Sequence, residues 1–543
     1  MGERHQGPIG LSLRRCEPLE AARPIAFLVS TSSAARSLRE QLGSPAYSYV
    51  FVVEALGPVL ERFGSWRLID HPESRLAFAA RQAEADGYRA VHLAVNPLQD
   101  VYLSPALPNI LFPFWEFPDI PARSFGHDLR QNWKQACRPA ALILAACEFT
   151  AEAFRSAKVD APIAVVPVPL TSEAFDLPDW NPSHTWTFTC RHECLRETPA
   201  QEPPCPAAEP ASGDGPRTLR RRIWLLARDT FRKLHPWLNA ETVGKLTRIK
   251  RRLAEASRRS PASLVYTSLR DGYRTHLKRW LSQDALERIS GLKRAALAMA
   301  GREPHVVPDP PLPSSELTLG GLVYLTIFNL GDLRKNYLDI LTAYLVALKD
   351  RDDATLVIKL VTNKVREHHE AGILRSRYQS IGLKHRCRVV VITEFLPEAQ
   401  MDELFRVATY YVNASRAEGA CLPLMRALAG GRPAIAPNHT AMADYMDETI
   451  GFVPSSSLEP TSWPHDPEQR LETFRHRLSW SDLRDAFIES ADVATRDPKR
   501  YAALAQAARV RLQNHASQDA AETALRAALE SLAETPAGTL EWA

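Results

Sequence analysis

The stretch that decides the fold is ATYYVNASRAEGACLPLMRALAGGRPAIAPNHTAMADYM, residues 408–446. A strand pattern ends near Asn413, and Pro423 then opens a helix, because proline is preorganised for a first helical turn. That helix ends at Gly430–Gly431, a natural C-cap, and a new strand follows. A helix N-terminus behind a parallel strand offers free amides to a phosphate. An acid just before it would repel phosphate, so we expect Glu418 to hydrogen-bond hydroxyl groups of an attached sugar.

On both sides of this motif the chain alternates short apolar runs with amphipathic stretches. From residue 24 to about 175, strands are predicted at PIAFLVS, YVFVVEAL, WRLI, RAVHLAV, NILFPFW, AALILAAC and IAVVPV, with helices at 74–86 and 123–137. From residue 319, strands are predicted at GLVYLTIF, ATLVIKLV, RVVVITEF, ATYYVNA and RPAIAP. Runs without alternation fit parallel strands that are buried on both faces. We therefore expect an α/β protein with two Rossmann-like, doubly wound domains that face a cleft.

A basic segment separates these two regions. The chain of 543 residues has a net charge of +4, but residues 217–302 hold 22 Lys and Arg against 6 Asp and Glu. Two proline-rich stretches, residues 199–216 and 304–313, flank this segment and favour irregular linkers. The near-neutral total therefore combines a strongly basic insert with an acidic remainder.

Two interpretations of the basic insert remain open. Trp224, Phe231, Leu234 and Leu238 form an apolar stripe among arginines and lysines, which is typical of a helix on an anionic membrane surface. The alternative is a helical arm that packs this stripe on the protein itself. Nucleic acid is not an expected partner, because no recognised binding module accompanies the charge.

The cellular compartment is predicted from cysteine content and from the apolar segments of the sequence. The 8 cysteines are too sparse for a disulfide framework, the N-terminal residues lack the apolar core of a signal peptide, and no apolar run reaches the length of a membrane span. We expect a cytoplasmic protein, which the first interpretation of the insert would place peripherally at the inner face of the membrane.

The motif at 408–446 resembles the group 1 family of retaining, sugar-nucleotide-dependent glycosyltransferases, which have the GT-B fold. The family signature is a strand, Glu-Gly-x-Gly-Leu-Pro, a second glutamate eight residues after the first, and a Gly-Arg-Pro-Val-Ile-Ala-like strand. The matching positions are Glu418, Gly419, Leu422, Pro423, Gly431, Arg432, Pro433 and Ile435. The segment FNLGDLRKNYLDILTAYLVALKDRDDATLVIKL, from residue 328, resembles the first βα unit of the family's nucleotide domain, and FPFWEFPDIP, from residue 112, resembles part of its acceptor half.

The resemblance implies that a sugar passes from a nucleotide-sugar donor to a polysaccharide or lipid-linked acceptor, with retention of configuration. It implies Glu418 and Lys335 as the catalytic residues, with the lysine neutralising the donor diphosphate. The remaining donor-binding candidates are Arg334, Asn329, Gly419, Ala420, Cys421, Leu422, Arg426, His439 and Thr440. Trp115 and Glu116 are the candidates on the acceptor side. This reaction requires no metal, and no cofactor is expected because the nucleotide-sugar is a substrate.

The strand pattern, the basic segment and the resemblance together divide the chain into four parts. We predict an N-terminal Rossmann-like acceptor domain at 1–180, a proline-flanked basic helical insert at 181–318, a C-terminal Rossmann-like nucleotide-sugar domain at 319–500, and C-terminal helices at 501–543.

Two departures from the family pattern keep another class of function open. Arg426 stands where the family has its second glutamate, and Asn329 stands where it has an arginine six residues before the lysine. The alternative function is a non-catalytic GT-B homologue that binds a glycan or a partner enzyme. Individual candidates also have structural alternatives: Trp115 as core packing, Arg426 as a surface helix residue and His439 as an idle loop histidine.

Overall fold

The computed structural model describes residues 23–31, 48–124, 129–195, 314–363, 366–464, 466 and 468–534. The first domain is built on a parallel sheet of six strands. They are β1 (Ile25–Ser30), β2 (Gly64–Leu68), β3 (Arg89–Ala94), β4 (Asn109–Leu111), β5 (Ala140–Ala145) and β6 (Ile163–Val165), in the spatial order β2-β1-β3-β4-β5-β6. All six residues of β1 are buried, as expected of a strand covered on both faces.

The helices of this domain include one correction to the predicted strands. They are α1 (Ser48–Glu61), α2 (Pro72–Ala85), α3 (Trp133–Ala136) and α4 (Glu148–Ser156). The run YVFVVEAL, predicted as a strand, lies in α1, where Tyr49, Val52, Val53 and Leu56 recur at helical spacing and are buried. Packing of this stripe outweighs the weak strand preference of valine. The helix predicted at 123–137 was also too long, because only α3 is α-helical among its described residues.

The second domain contains an eight-stranded sheet. Its strands are β7 (Trp186–Leu195), β8 (Ser314–Leu319), β9 (Leu322–Phe328), β10 (Ala354–Leu360), β11 (Arg388–Ile392), β12 (Tyr410–Val412), β13 (Ala434–Ile435) and β14 (Gly451–Phe452). Their order is β14-β13-β12-β9-β10-β11-β7-β8, and every pair is parallel except those that β7 makes with β11 and β8. Helices α5 (Tyr337–Leu348), α6 (Glu367–Ile381), α7 (Glu398–Val407) and α8 (Leu422–Ala429) connect the parallel strands.

A hairpin and three long helices complete the second half of the chain. The hairpin pairs β15 (Ser456–Thr461) with β16 (Thr473–Leu478), and it is followed by α9 (Trp480–Arg496), α10 (Pro498–Ala516) and α11 (Gln518–Glu534). Helix α11 returns to the first domain, where Ala521, Leu525, Ala528 and Leu529 join the core beside β1 and α1. Two Rossmann-like sheets joined by a returning C-terminal helix constitute the GT-B fold, and this confirms the predicted fold class.

The predicted insert at 181–318 is described only at its two ends. Both ends contain strands: β7 and β8 pair with each other, and β7 extends the second sheet beside β11. Residues 196–313, which include the basic segment, lie outside the described residues, so its predicted helices remain a prediction. None of the described helices combines the length and the apolar composition that crossing a bilayer requires.

Candidate functional site

The loop that follows β9 presents two cations. Asp332 caps a short 3-10 turn at Leu333–Lys335, its carboxylate accepting a hydrogen bond from the Arg334 amide at 3.1 Å. Asn336 then adopts the left-handed conformation, with φ 52°, and α5 begins at Tyr337. The capped turn thereby fixes the positions of Arg334 and Lys335 at the carboxyl end of β9.

The loop that follows β12 brings Glu418 to the same place. Cys421 adopts the left-handed conformation, with φ 67°, directly before α8, and Asn413 donates a side-chain hydrogen bond to its sulfur at 2.8 Å. Glu418 is buried, and its amide donates to the Thr440 hydroxyl at 3.0 Å. Because β9 and β12 are adjacent parallel strands, their carboxyl ends place Lys335 and Glu418 side by side.

Lys335 and Glu418 form a buried ion pair, with 2.6 Å between Nζ and Oε1. Burial alone would raise the pKa of Glu418, but Lys335 and Arg334 outweigh it and hold that pKa below its usual value. Burial would likewise lower the pKa of Lys335, yet the charge of Glu418 raises it above the usual range. Both groups are therefore charged at neutral pH.

Arg334 joins the two domains. Its guanidinium donates to both carboxylate oxygens of Asp332, at 3.0 and 2.8 Å, and it also forms an ion pair with Glu116, which follows β4 in the first domain. Burial raises the pKa of Glu116, and the charge of Arg334 offsets this only in part. We call Glu116, Asp332, Arg334, Lys335 and Glu418 the charged cluster; its three carboxyl groups face two cations.

The predicted loop residues lie where the two domains touch. A Cβ on Gly419 would lie 3.4 Å from the Phe114 side chain and from the Trp115 amide, so the loop passes close to the first domain. The Ala420 carbonyl accepts a hydrogen bond from Tyr445 at 2.8 Å. Leu422 packs against the cores of both domains. Gly419, Ala420, Cys421 and Leu422 are thus grouped beside Glu418.

Two other donor-binding candidates make contacts elsewhere. Arg426 forms ion pairs with Glu398, at 2.7 Å, and with Asp402, both on α7, and it lies over the Phe405 ring. Asn329 lies in the loop before the capped turn, where its side-chain oxygen accepts a hydrogen bond from the Gly331 amide at 2.9 Å. The named contacts of both side chains lie within the second domain.

His439 belongs to a second group of polar residues. Its Nε2 donates to the Ser415 carbonyl at 3.0 Å, so its Nδ1 is the acceptor for the Ser456 hydroxyl, also at 3.0 Å. The same hydroxyl lies 3.0 Å from Nδ1 of His476, and the two imidazole rings stack with centroids 4.0 Å apart. Burial lowers the pKa of His439 to about 4, which keeps its ring neutral. We call His439, Ser456 and His476 the histidine cluster.

The acceptor-side candidates separate into one core residue and one site residue. The Trp115 ring is buried against Trp133, with centroids 4.3 Å apart, and its Nε1 donates to the Asp119 carbonyl at 2.7 Å. Glu116, the next residue, belongs to the charged cluster. The turn that carries them also binds the hairpin, because Thr473 donates to the Asp119 carboxylate at 2.6 Å.

Asp332, Ser456 and His476 are not among the site residues predicted from sequence. Asp332 had a local signal, since an aspartate two residues before Arg334 is a typical cap of a helical turn. The two hairpin residues had none, because only the tertiary fold brings β15 and β16 against the loop after β13. Among the described residues, no group of three or more His, Cys, Asp or Glu is placed to hold a metal ion.

The charged cluster has the groups that a bound sugar phosphate requires. Two cations and the amides at the start of α8 can bind phosphate oxygens, and Glu418 can accept hydrogen bonds from hydroxyl groups. The histidine cluster offers no free ring nitrogen on His439 and no cation. Chemistry on a phosphorylated ligand is therefore expected at the charged cluster.

No family model matches this chain, and no curated protein matches it. Several solved structures are similar to it. HepE from Anabaena, crystallised with UDP and glucose, is 10% identical, with 94% of this chain and 100% of that chain covered and a TM-score of 0.43.

Two further solved structures show comparable similarity. A sucrose-phosphate synthase from Thermosynechococcus elongatus is 11% identical, with 94% of this chain and 99% of that chain covered and a TM-score of 0.45. A glycosyltransferase from Rickettsia africae is 9% identical, with the same coverage of both chains and a TM-score of 0.48.

Proposed function

We propose that this protein is a glycosyltransferase that moves a sugar from a nucleotide-sugar donor to a polysaccharide or lipid-linked acceptor, with retention of configuration. The single observation that carries this proposal is the buried contact of Lys335 with Glu418, with Arg334 beside it, at the carboxyl ends of β9 and β12. This group combines phosphate-binding cations with a hydroxyl-binding carboxylate inside a domain junction.

Each residue has a defined task in the proposed reaction. Lys335 and Arg334 bind the donor diphosphate and stabilise the negative charge that grows on it as the bond to the sugar breaks. The amides at the start of α8 add favourable dipoles. Glu418 orients the sugar through its hydroxyl groups. The acceptor hydroxyl loses its proton to a leaving phosphate oxygen on the same face of the sugar, so the reaction needs no separate protein base.

Turnover and binding with a panel of UDP-, GDP- and ADP-sugars test this proposal. One donor is expected to bind and to be consumed when a glycan acceptor is supplied, and Glu418→Gln is expected to lower its turnover about 100-fold or more, because a neutral amide cannot replace the charged acceptor. The matched control is Glu193→Gln, a half-buried carboxylate that pairs with Arg375 on the second sheet. Absence of binding by every donor would contradict the proposal.

A non-catalytic homologue is the second candidate, and two observations favour it. Three carboxyl groups already occupy the two cations, and Arg426 pairs with α7 instead of offering a carboxylate to a ribose. Such a protein would bind a glycan or a partner enzyme and leave every nucleotide-sugar unchanged. Glycan binding without any turnover would establish it.

Three further parts of the proposed function have tests of their own. Retention of configuration is tested by determining the anomeric form of the product by NMR. Metal independence is tested by turnover after dialysis against a chelator. Membrane binding by residues 217–302, outside the described residues, is tested by sedimentation with anionic vesicles at increasing salt.

A further inference from the structure

Arg334 lies between a carboxylate of its own loop and one from the other domain. Asp332 holds its Nε and Nη2, and Glu116 reaches its Nη1 from the first domain. The side chains of Arg334 and Glu116 are 25% and 14% exposed, so water screens this pair little. An incoming phosphate meets a guanidinium whose hydrogen-bond donors are largely taken.

The backbone around Glu116 is held firmly. Trp115 is fixed by its hydrogen bond to Asp119 and by the Thr150 hydroxyl, which donates to the Trp115 carbonyl at 2.7 Å. Asp119 is fixed in turn by Thr473 of the hairpin. Glu116 therefore stands on a turn with contacts to both domains, and it has little freedom to leave Arg334 by local movement.

We propose that Glu116 is an internal competitor for the donor phosphate, which occupies Arg334 and so sets the affinity of the site for diphosphates. The inference rests on the proposed function, since it takes Arg334 to be a phosphate ligand. A carboxylate and a phosphate oxygen are alternative partners for the same guanidinium edge. The exchange also breaks a contact between the two domains, so diphosphate binding loosens their junction at this point.

As a competitor, Glu116 opposes diphosphate binding, which distinguishes it from an acceptor ligand or a packing residue. Replacing it with glutamine keeps the shape of the side chain and removes the competing charge. A residue needed only for structure would weaken binding on substitution, whereas a competitor strengthens it.

Calorimetric titration of the full chain with inorganic pyrophosphate tests the inference at fixed ionic strength. Pyrophosphate has no base or sugar, so the result does not depend on knowing the donor. We expect Glu116→Gln to bind pyrophosphate about tenfold more tightly than the wild type, because the edge of Arg334 that Glu116 occupies becomes available to the anion. The matched control is Glu193→Gln, whose side chain is 19% exposed and pairs with Arg375; it is expected to change the affinity less than about twofold.

A double-substitution cycle tests whether Arg334 carries the effect. In an Arg334→Gln background, the gain from Glu116→Gln should disappear, because the Glu116 carboxylate and the phosphate no longer compete for one guanidinium. If Glu116→Gln unfolds the protein, Glu116→Asp, which withdraws the charge by one methylene, is expected to give a smaller gain.

The outcomes separate this inference from the proposed function. Equal or weaker pyrophosphate binding by folded Glu116→Gln overturns the inference, even if nucleotide-sugars are turned over. No pyrophosphate binding by any variant overturns it as well. Tighter binding without turnover of any nucleotide-sugar supports the competition and contradicts the transferase.

Discussion

The charged cluster and the histidine cluster contact the two ends of one short loop, residues 415–418, and they differ in their chemistry. Ser415 receives a hydrogen bond from His439, while Glu418 pairs with Lys335. In the charged cluster, two cations pair with three carboxylates. In the histidine cluster, the neutral rings of His439 and His476 are hydrogen-bond partners of the Ser456 hydroxyl.

The two clusters differ in which of their side chains keep a charge at neutral pH. The resemblance implied a donor-binding role for both His439 and Lys335. Burial, together with the neighbouring His476, lowers the pKa of His439, whereas the charge of Glu418 overcomes burial and raises the pKa of Lys335. The identity of the nearest partner therefore decides which side chain keeps its charge at neutral pH.

The largest expected effect comes from removing Lys335, one of the two cations of the charged cluster. Lys335→Met should lower turnover about 100- to 1000-fold, because it deletes a charge that stabilises the leaving diphosphate. It also leaves Glu418 buried with less compensation, so the pKa of Glu418 should rise. Steady-state kinetics measures the first effect. Lys349→Met, at a half-exposed lysine of the same domain, is the control and should retain wild-type turnover.

The next effect uses acid to break the histidine cluster. The pKa of His439 is about 4 in the folded protein, below its ordinary 6.5. As the pH falls below 6.5, the unfolded chain takes up a proton that the folded chain excludes, so the free energy of unfolding decreases until about pH 4. The loss from this one residue is about 3 kcal/mol at most.

Urea unfolding at several pH values measures this loss. The pKa values of His92, His476 and His515 are also lowered by burial, so the wild type should lose more than His439 alone accounts for. His439→Gln should therefore show a shallower decline than the wild type. Identical declines would show that the pKa of His439 is not lowered in the folded protein.

A smaller effect is expected when the histidine cluster is broken at neutral pH. His439→Ala should lower the free energy of unfolding by about 1–3 kcal/mol, because the Ser415 carbonyl and the Ser456 hydroxyl lose a buried partner. Turnover per folded molecule should change far less than in Lys335→Met. His71→Ala, at an exposed histidine, is the control. A 100-fold loss of turnover without a change in stability would mean that His439 binds the donor.

The fold could be predicted from sequence where local pattern and tertiary packing agree. The buried parallel strand β1 is an almost continuous apolar run, IAFLVS, and the proline and glycine signals correctly bounded α8. The pattern failed at α1, where a valine-rich run looks like a strand until its packing stripe is known. Local pattern therefore predicts the strands of the sheet more accurately than the helices that cover it.

The candidate site could be predicted only where its residues follow neighbouring strands of one sheet. Lys335 and Glu418 follow adjacent strands, so topology alone predicts that they meet. Glu116 comes from the other domain, and its pairing with Arg334 depends on how the domains pack. His476 reaches His439 only because a hairpin folds back, which no local spacing indicates.

Arg426 belongs to neither cluster, and the smallest expected effect is predicted there. Its ion pairs with Glu398 and Asp402 join α8 to α7 at a partly exposed position, where such pairs contribute about 0–1 kcal/mol. Arg426→Gln should therefore change stability by that amount. The KM for the donor should stay within about twofold, which corresponds to less than about 0.5 kcal/mol, because Arg426 pairs with α7. Thermal unfolding and initial-rate kinetics measure the two quantities. A rise in KM of tenfold or more would instead place Arg426 against the donor and extend the charged cluster along α8.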